Sequence, residues 1–170
     1  MTTTIKLRAL EKDDLTFLHK LFNNADVMHY WFSESYMSME KLKESFDKCY
    51  DNERNREFIL TDGHEPLGYV GLFDIDPRHR HAEFAIIIDP SHQGNGYAGS
   101  ATKLAMDYAF SVLNLHKLYL LVAKTNEKAG HIYEKLGFRV EGELAQHFFI
   151  NGAYEDAIMM GIFQRDYWER

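Results

Sequence analysis

Cysteine is almost missing from this chain: Cys49 is the single one among 170 residues. No disulfide can close within it, and nothing argues for an oxidising compartment. Cys49 reads as a small core filler rather than a reactive thiol. Long apolar runs are also lacking. No segment reaches the length of a membrane span and the N-terminal residues carry no signal-peptide core, so the cytoplasm is the expected location. The nine histidines show no zinc-ligand spacing, which predicts no metal site. Positive charge is in deficit: 19 Lys and Arg against 26 Asp and Glu leave a formal charge of -7. That balance disfavours nucleic acid and favours a cationic partner. Repeats, low-complexity tracts and linkers are absent, so a single mixed α/β domain over residues 1–170 is expected.

What is present alternates between strand and helix patterns. Residues 5–10 alternate apolar and polar side chains and predict an opening strand with one buried face. Asp13 and Asp14 are N-cap candidates for a helix bearing Leu15, Leu18, Leu21 and Phe22, which Asn23 and Asn24 end. The aromatic segment at 28–36 holds no clean period and is expected to be core or lid. Ser38 then caps a helix with Met39, Leu42, Phe46 and Cys49 on one face. Residues 57–61, Asp62-Gly63 and residues 67–75 form a strong hairpin signal, with Asp76-Pro77 as the next turn. The basic quartet Arg78-His79-Arg80-His81 follows and reads as a solvated loop. Later come a buried strand at 118–123, a short helix capped by Asn126 and stopped by Gly137, and strands at 138–140, 145–150 and 154–163 around Asn151-Gly152.

The stretch with chemical content is 83–103. Residues 84–88 are a short β-branched run with the composition of a buried strand, and Pro90 ends it. Gln93-Gly94-Asn95-Gly96-Tyr97-Ala98 follows. A helical period then begins, with Ala101, Leu104, Ala105, Tyr108 and Val112 on one face. A small-residue loop feeding a helix N-terminus offers unpaired N–H groups and the positive end of a dipole, an anion cradle. The loop lacks the Gly-Lys-Ser/Thr ending of a nucleotide P-loop and the three-glycine spacing of a dinucleotide fold.

Gln93, Gly96 and Ala98 match a Gln/Arg-x-x-Gly-x-Gly/Ala pattern, and this resembles the pyrophosphate loop of the GNAT superfamily of acyl-CoA N-acyltransferases. A second match lies downstream at Asn126, Ala129, Tyr133, Gly137 and Phe138, in the right order and again between a strand and a helix. Within the superfamily the chain is similar, nearly end to end, to the bacterial spermidine N-acetyltransferases. The segments that carry this are Leu7-Arg8-Ala9-Leu10-Glu11, Tyr30-Trp31-Phe32, residues 79–84, residues 113–117 and Phe148-Phe149-Ile150-Asn151-Gly152.

The resemblance implies a GNAT fold: a mixed, mostly antiparallel twisted sheet flanked by helices, with the acetyl-CoA loop between a central strand and the next helix. It implies acetyl-CoA as donor, a polyamine as acceptor and a ring-like homo-oligomer, commonly a dodecamer, with no nucleic acid or membrane partner. Direct attack in a ternary complex needs no covalent enzyme intermediate, and no activated nucleophile is evident. Tyr133 is the implied general acid. Ile86, Ile87, Ile88, Gln93, Gly94, Asn95, Gly96, Tyr97, Ala98, Gly99, Asn126, Lys128 and Tyr133 are the expected cofactor contacts. Met28, Glu34, Asp51, Glu83, Phe84 and Ala85 are the expected acceptor contacts, with Trp31 giving cation–π attraction. Glu83 is the candidate carboxylate for proton removal, its alternative being an ion pair with Arg80. Ser33 and Lys41 stand where this family usually carries acids, which puts a separate regulatory polyamine site and a divalent-ion site near Asp74 in doubt. Two rival readings stay open: a protein N-terminal acetyltransferase, and a non-catalytic acyl-CoA or polyamine sensor.

Overall fold

In the computed structural model, which describes residues 4–49 and 51–169, the chain runs β1 (Lys6–Ala9), α1 (Leu15–Phe22), α2 (Ala25–Trp31), α3 (Met39–Cys49), β2 (Arg56–Thr61), β3 (Pro66–Asp76) and β4 (His81–Ile88). It continues with α4 (Tyr97–Asp107), β5 (Lys117–Ala123), α5 (Glu127–Lys135), β6 (Arg139–Ile150), β7 (Ala153–Phe163) and α6 (Gln164–Trp168). The seven strands form one sheet in the order β1-β2-β3-β4-β5-β7-β6. Every neighbouring pair is antiparallel except β4 with β5. Among the described residues no helix is long and apolar enough to cross a membrane.

Strand alternation sorts the core onto two faces. Val70, Leu72, Phe84, Leu118 and Leu120 pack with Ala101, Ala105 and Met106 of α4. Ile59, Tyr69 and Ile87 point the other way, onto Leu15, Leu18, Leu21, Met28 and Leu42 of α1, α2 and α3. The sheet is therefore a partition, and residues one apart on β4 report to different layers.

Four local readings of the sequence are corrected. Asp14 does not cap α1. It is buried and receives Arg8 through two bonds of 2.7 Å, while Glu11 opens a 3-10 turn over Lys12–Asp14 with a capping box. The segment after Asn24 is helical: the Asn24 side chain accepts from the Asp26 and Val27 N–H groups and starts α2, which Phe32 closes at φ 61°. Val112 is exposed, because α4 widens into a π-helical turn over Tyr108–Val112 that shifts the phase of its face. Residues 138–150 do not hold two short strands: β6 is continuous, with register shifts at Val140/Gly142 and Leu144/Phe148.

The Asp62-Gly63 hairpin, the Asp76 turn, the Ser38 and Asn126 caps and the Gly137 stop stand as expected. Cys49 is half-buried rather than a core filler, and its Sγ donates to Glu57. Burial, then the Glu57 carboxylate, push its thiol up to about 12, so it stays protonated and inert.

Candidate active site

β4 and β5 are joined by three register pairs only: His81 with Lys117, Ala82 with Leu118, and Glu83 with Tyr119. Past Glu83 the strands part, and the gap opens into a cleft of about 950 Å3. On its other edge β4 stays paired with β3 without interruption from Glu83 to Ile88. The Asp89 N–H continues that side by donating to the Leu67 carbonyl at 2.9 Å. Peptide groups alternate sides along a strand. Ile87 therefore turns its N–H to β3, while Ile86 and Ile88 turn theirs into the gap. The Gln93 side chain donating to the Ile88 carbonyl at 3.4 Å has the same phase. The three isoleucines expected at the cofactor thus divide: Ile86 and Ile88 line the cleft, and Ile87 is buried against α1, α2 and α3.

The loop leading to α4 forms the next wall. Asp89 ends β4, and its Oδ1 accepts from the Ser91 N–H at 2.9 Å to start a 3-10 turn over Pro90–His92. Gly94 and Gly96 hold φ of 84° and 76°, which only glycine adopts without strain. Gly96 is the N-cap of α4 and has no side chain to satisfy the first turn. The first-turn N–H groups are left for a ligand, and Gly96, Tyr97, Ala98 and Gly99 line the cleft beside Gln93 and Gly94. A polyphosphate fits there, since a Cβ placed at Gly94, Gly96 or Gly99 would meet nothing within 4 Å. Asn95 turns away from the cleft and donates to the His92 carbonyl at 3.0 Å, holding the loop's own shape.

The opposite wall comes from β5 and α5, with Asn126, Lys128 and Tyr133 facing in. The Tyr133 ring sits edge-on to Phe84 and Phe138, with centroids 6.3 and 5.7 Å away. Burial pushes its hydroxyl up to about 12, and that hydroxyl has no protein hydrogen bond among the described residues. A proton donor is thereby held neutral at physiological pH with its oxygen unspent.

Glu83, Phe84 and Ala85 line the end nearest Trp31 and Phe73. Glu83 is half-buried, and burial followed by the charge of Asp74 raises its carboxyl above the usual range. No ion pair to Arg80 forms; among the described residues Glu83 has no cation partner. The Trp31 ring leans on Tyr69 and Phe73 at 5.8 and 6.4 Å, which fixes an aromatic wall beside this unpaired acid. Such an end suits a cation with a methylene chain.

Three expected acceptor residues fall elsewhere. Met28 is on the inner side of α2, buried in the core. Glu34 is exposed and outside the cleft. Asp51 lines a separate hollow of about 450 Å3 with Cys49 and Glu57. The residues sequence reasoning missed are His92, Phe73 and residues 120–123 of β5. His92 precedes the loop glutamine and could have been read as part of the loop; the others depend on how strands pair. Among the described residues no group of three or more His, Cys, Asp or Glu side chains converges for a metal ion.

The family of the acetyltransferase (GNAT) domain matches residues 4–139. The chain is 54% identical to the spermidine N(1)-acetyltransferase of Escherichia coli K12 over 96% of its length and 88% of that protein. It is 47% identical to the Vibrio cholerae spermidine N(1)-acetyltransferase over 100% of its length and 99% of that one. The crystal structure of the Vibrio cholerae spermidine N-acetyltransferase in complex with CoA and spermine superposes with a TM-score of 0.96 at 46% identity, covering 98% of this chain and 99% of that one. A sheet that parts between β4 and β5, a glycine loop opening α4 and a full-length likeness to these enzymes lead to one conclusion: the chain belongs to the GNAT acetyltransferase family.

Proposed function

We propose that the protein transfers the acetyl group of acetyl-CoA to a primary amine of a polyamine, spermidine or spermine, by direct attack in a ternary complex, and so lowers free polyamine. The observation that carries this reading is the pairing within one cleft of an unneutralised acid, Glu83, with a half-buried neutral phenol, Tyr133. Acetyl-CoA supplies an acyl group activated as a thioester; every other part is supplied by the chain.

A polyamine amine has a free pKa of about 10.4, so the neutral nucleophile is disfavoured by about 4–5 kcal/mol at neutral pH. Glu83 offsets this by holding the cation at the cleft end and accepting its proton through water. A carboxyl raised by burial and by Asp74 is a better base than an ordinary surface acid. Trp31 and Phe73 pack the methylenes, while Phe84 and Ala85 carry the acceptor toward the gap. The N–H groups of Ile86 and Ile88 face the thioester arm, and one of them meets the oxygen that gains negative charge as the nitrogen–carbon bond forms. When the carbon–sulfur bond breaks, Tyr133 gives its proton to the departing sulfur. The cradle at Gln93–Gly99, with Asn126 and Lys128 opposite, holds the phosphates and the pantetheine arm. The resemblance adds a ring-like homo-oligomer to this reading, which light scattering of the purified protein tests.

The test of function is thiol release from acetyl-CoA with spermidine, spermine, putrescine and a free-N-terminus peptide offered in parallel. Saturable release with spermidine or spermine and an acetylated product of the right mass is the expected result. Release with the peptide alone would overturn the acceptor, and tight acetyl-CoA binding without release would favour a sensor.

A further inference from the structure

β3 and β4 present consecutive facing pairs on the side of α1, α2 and α3: Tyr69 with Ile87, Gly71 with Ala85, and Phe73 with Glu83. Side chains two apart on a strand share a face, so these pairs are successive rungs. The outer rungs carry large groups, and the middle rung carries a single methyl. A trench therefore crosses the two strands at Gly71 and Ala85. Glycine inside a strand weakens it and marks a place where another group comes close. Here that group is the Phe73 ring. A Cβ built at Gly71 would collide with ring atoms Cε2 and Cζ of Phe73 and stand 3.2 Å from Cδ2. The ring has folded back along its own strand and lies over Gly71. Gly71 is buried beneath it, and the Ala85 half of the trench is the half that opens to the cleft.

Trp31 closes this lane from α2. It packs against the aromatic residues on both sides of the trench, Tyr69 at 5.8 Å and Phe73 at 6.4 Å, and meets the Phe73 ring nearly edge-on at 83°. Trp31, Phe73, Ala85 and Glu83 all line the cleft. The passage has a methyl on its floor, aromatic rings at its sides and a carboxyl at its end. We infer that Phe73, seated in the space Gly71 leaves, determines acceptor specificity: the lane admits a primary amine on an unbranched methylene chain and rejects one on a branched carbon, such as the α-carbon of a peptide N-terminus. The inference rests on the reading of a polyamine as acceptor and narrows it. Aromatic faces attract an ammonium and cover its methylenes. A branch has to take space that the Phe73 ring or Trp31 already fills, and that clash is what discriminates. Gly71 touches no substrate; it is a positioning residue that acts through the ring.

Steady-state kinetics with acetyl-CoA and two symmetric acceptors test this: spermine, and its analogue with a methyl on each amine-bearing end carbon. The wild type should favour spermine by at least about tenfold in kcat/KM. Phe73→Ala should narrow that preference by about five- to tenfold and raise KM for spermine more than it lowers kcat. Both substrates report the same folded fraction, so a mere loss of stability lowers both rates and leaves their ratio unchanged. Gly71→Ala should lower kcat/KM for spermine by about tenfold with CoA affinity within about twofold, and should have little further effect in Phe73→Ala, where no ring remains to be displaced. No preference in the wild type, an unchanged ratio in Phe73→Ala, or an equal cost of Gly71→Ala in both backgrounds would overturn the inference and leave the polyamine reading intact. A wild type that acetylates neither polyamine would overturn that reading and the lane with it.

Discussion

Glu83 and Tyr119 stand side by side as the last residues paired across β4 and β5 before the strands part. The Tyr119 hydroxyl is pushed up by burial, then by the charges of Glu83 and Asp74, so the mouth of the cleft is acidic and short of cations. Glu83→Gln is expected to lower kcat/KM for spermidine by at least about tenfold while leaving CoA affinity within about twofold. Equal loss of both would make Glu83 structural. The sign of the pH effect follows from its raised carboxyl. The ionised base is lost as pH falls through a value above the ordinary carboxylate range, so the acid limb of kcat/KM lies higher than for a surface acid. Asp74→Asn removes one cause and should move that limb down. Because the fold disfavours the ionised form, Glu83→Gln should be no less stable than the wild type at neutral pH, which thermal unfolding checks.

Tyr133→Phe keeps the ring that meets Phe84 and Phe138 and removes only the hydroxyl. Turnover should drop by tens-fold or more with CoA binding retained. Turnover equal to wild type would remove Tyr133 from the mechanism.

Asp14 couples β1 to the first helical layer. It receives Arg8 at 2.7 Å and the Glu11 N–H at 2.9 Å. Asp14→Asn should cost about 1–3 kcal/mol in urea unfolding, below the cost of a fully buried pair because Arg8 is partly exposed. Burial raises the Asp14 carboxyl, but Arg8 and the backbone bond outweigh it and the net direction is down. Its contribution is thus complete above the ordinary aspartate value of about 3.9 and is lost as pH falls through the lower folded value.

Two glycines near the cleft should lose stability for different reasons and to different extents. A Cβ at Gly68 of β3 would stand 2.4 Å from the Ile87 carbonyl oxygen, a backbone atom that cannot step aside without moving β4. Gly94 has open space and only its φ of 84° against it. Gly68→Ala is expected to cost more than about 2 kcal/mol and to disturb CoA binding, while Gly94→Ala costs about 1 kcal/mol. Chemical denaturation of the two variants separates a steric cost from a conformational one.

Residues whose role is set by neighbours in sequence were legible from the chain alone. Asn126, Gly137, Ser38 and the Asp62-Gly63 turn act through bonds a few residues away, and the glycine loop announces itself by spacing. The helix at Ala25–Trp31 was not legible, because its aromatic residues serve two surfaces at once: Met28 faces the core, and Trp31 and Tyr30 face the cleft. Asp51 and Glu34 carry the right charge for a polyamine, yet composition could not tell which hollow each side of the sheet would open. The division of Ile86, Ile87 and Ile88 needed the strand's phase, which only the register with β3 supplies. Asp14 looked like a cap because caps and buried acids share residue types, and Arg8 six positions earlier decided the matter.

Three residue pairs between β4 and β5, with the Arg80 carbonyl accepting from the His116 and Lys117 N–H groups, join two half-sheets along their shared edge, β1 through β4 on one side and β5 through β7 on the other. A chain-like molecule that bonds to the Ile86 and Ile88 N–H groups while touching α5 acts as a clasp across that seam. Its affinity then contributes to cohesion of the whole sheet, by mass action on the folded state. The recognition groups on β4 are main-chain, so point substitutions cannot erase them, and variation can remodel the acceptor end while the seam keeps its grip on the donor.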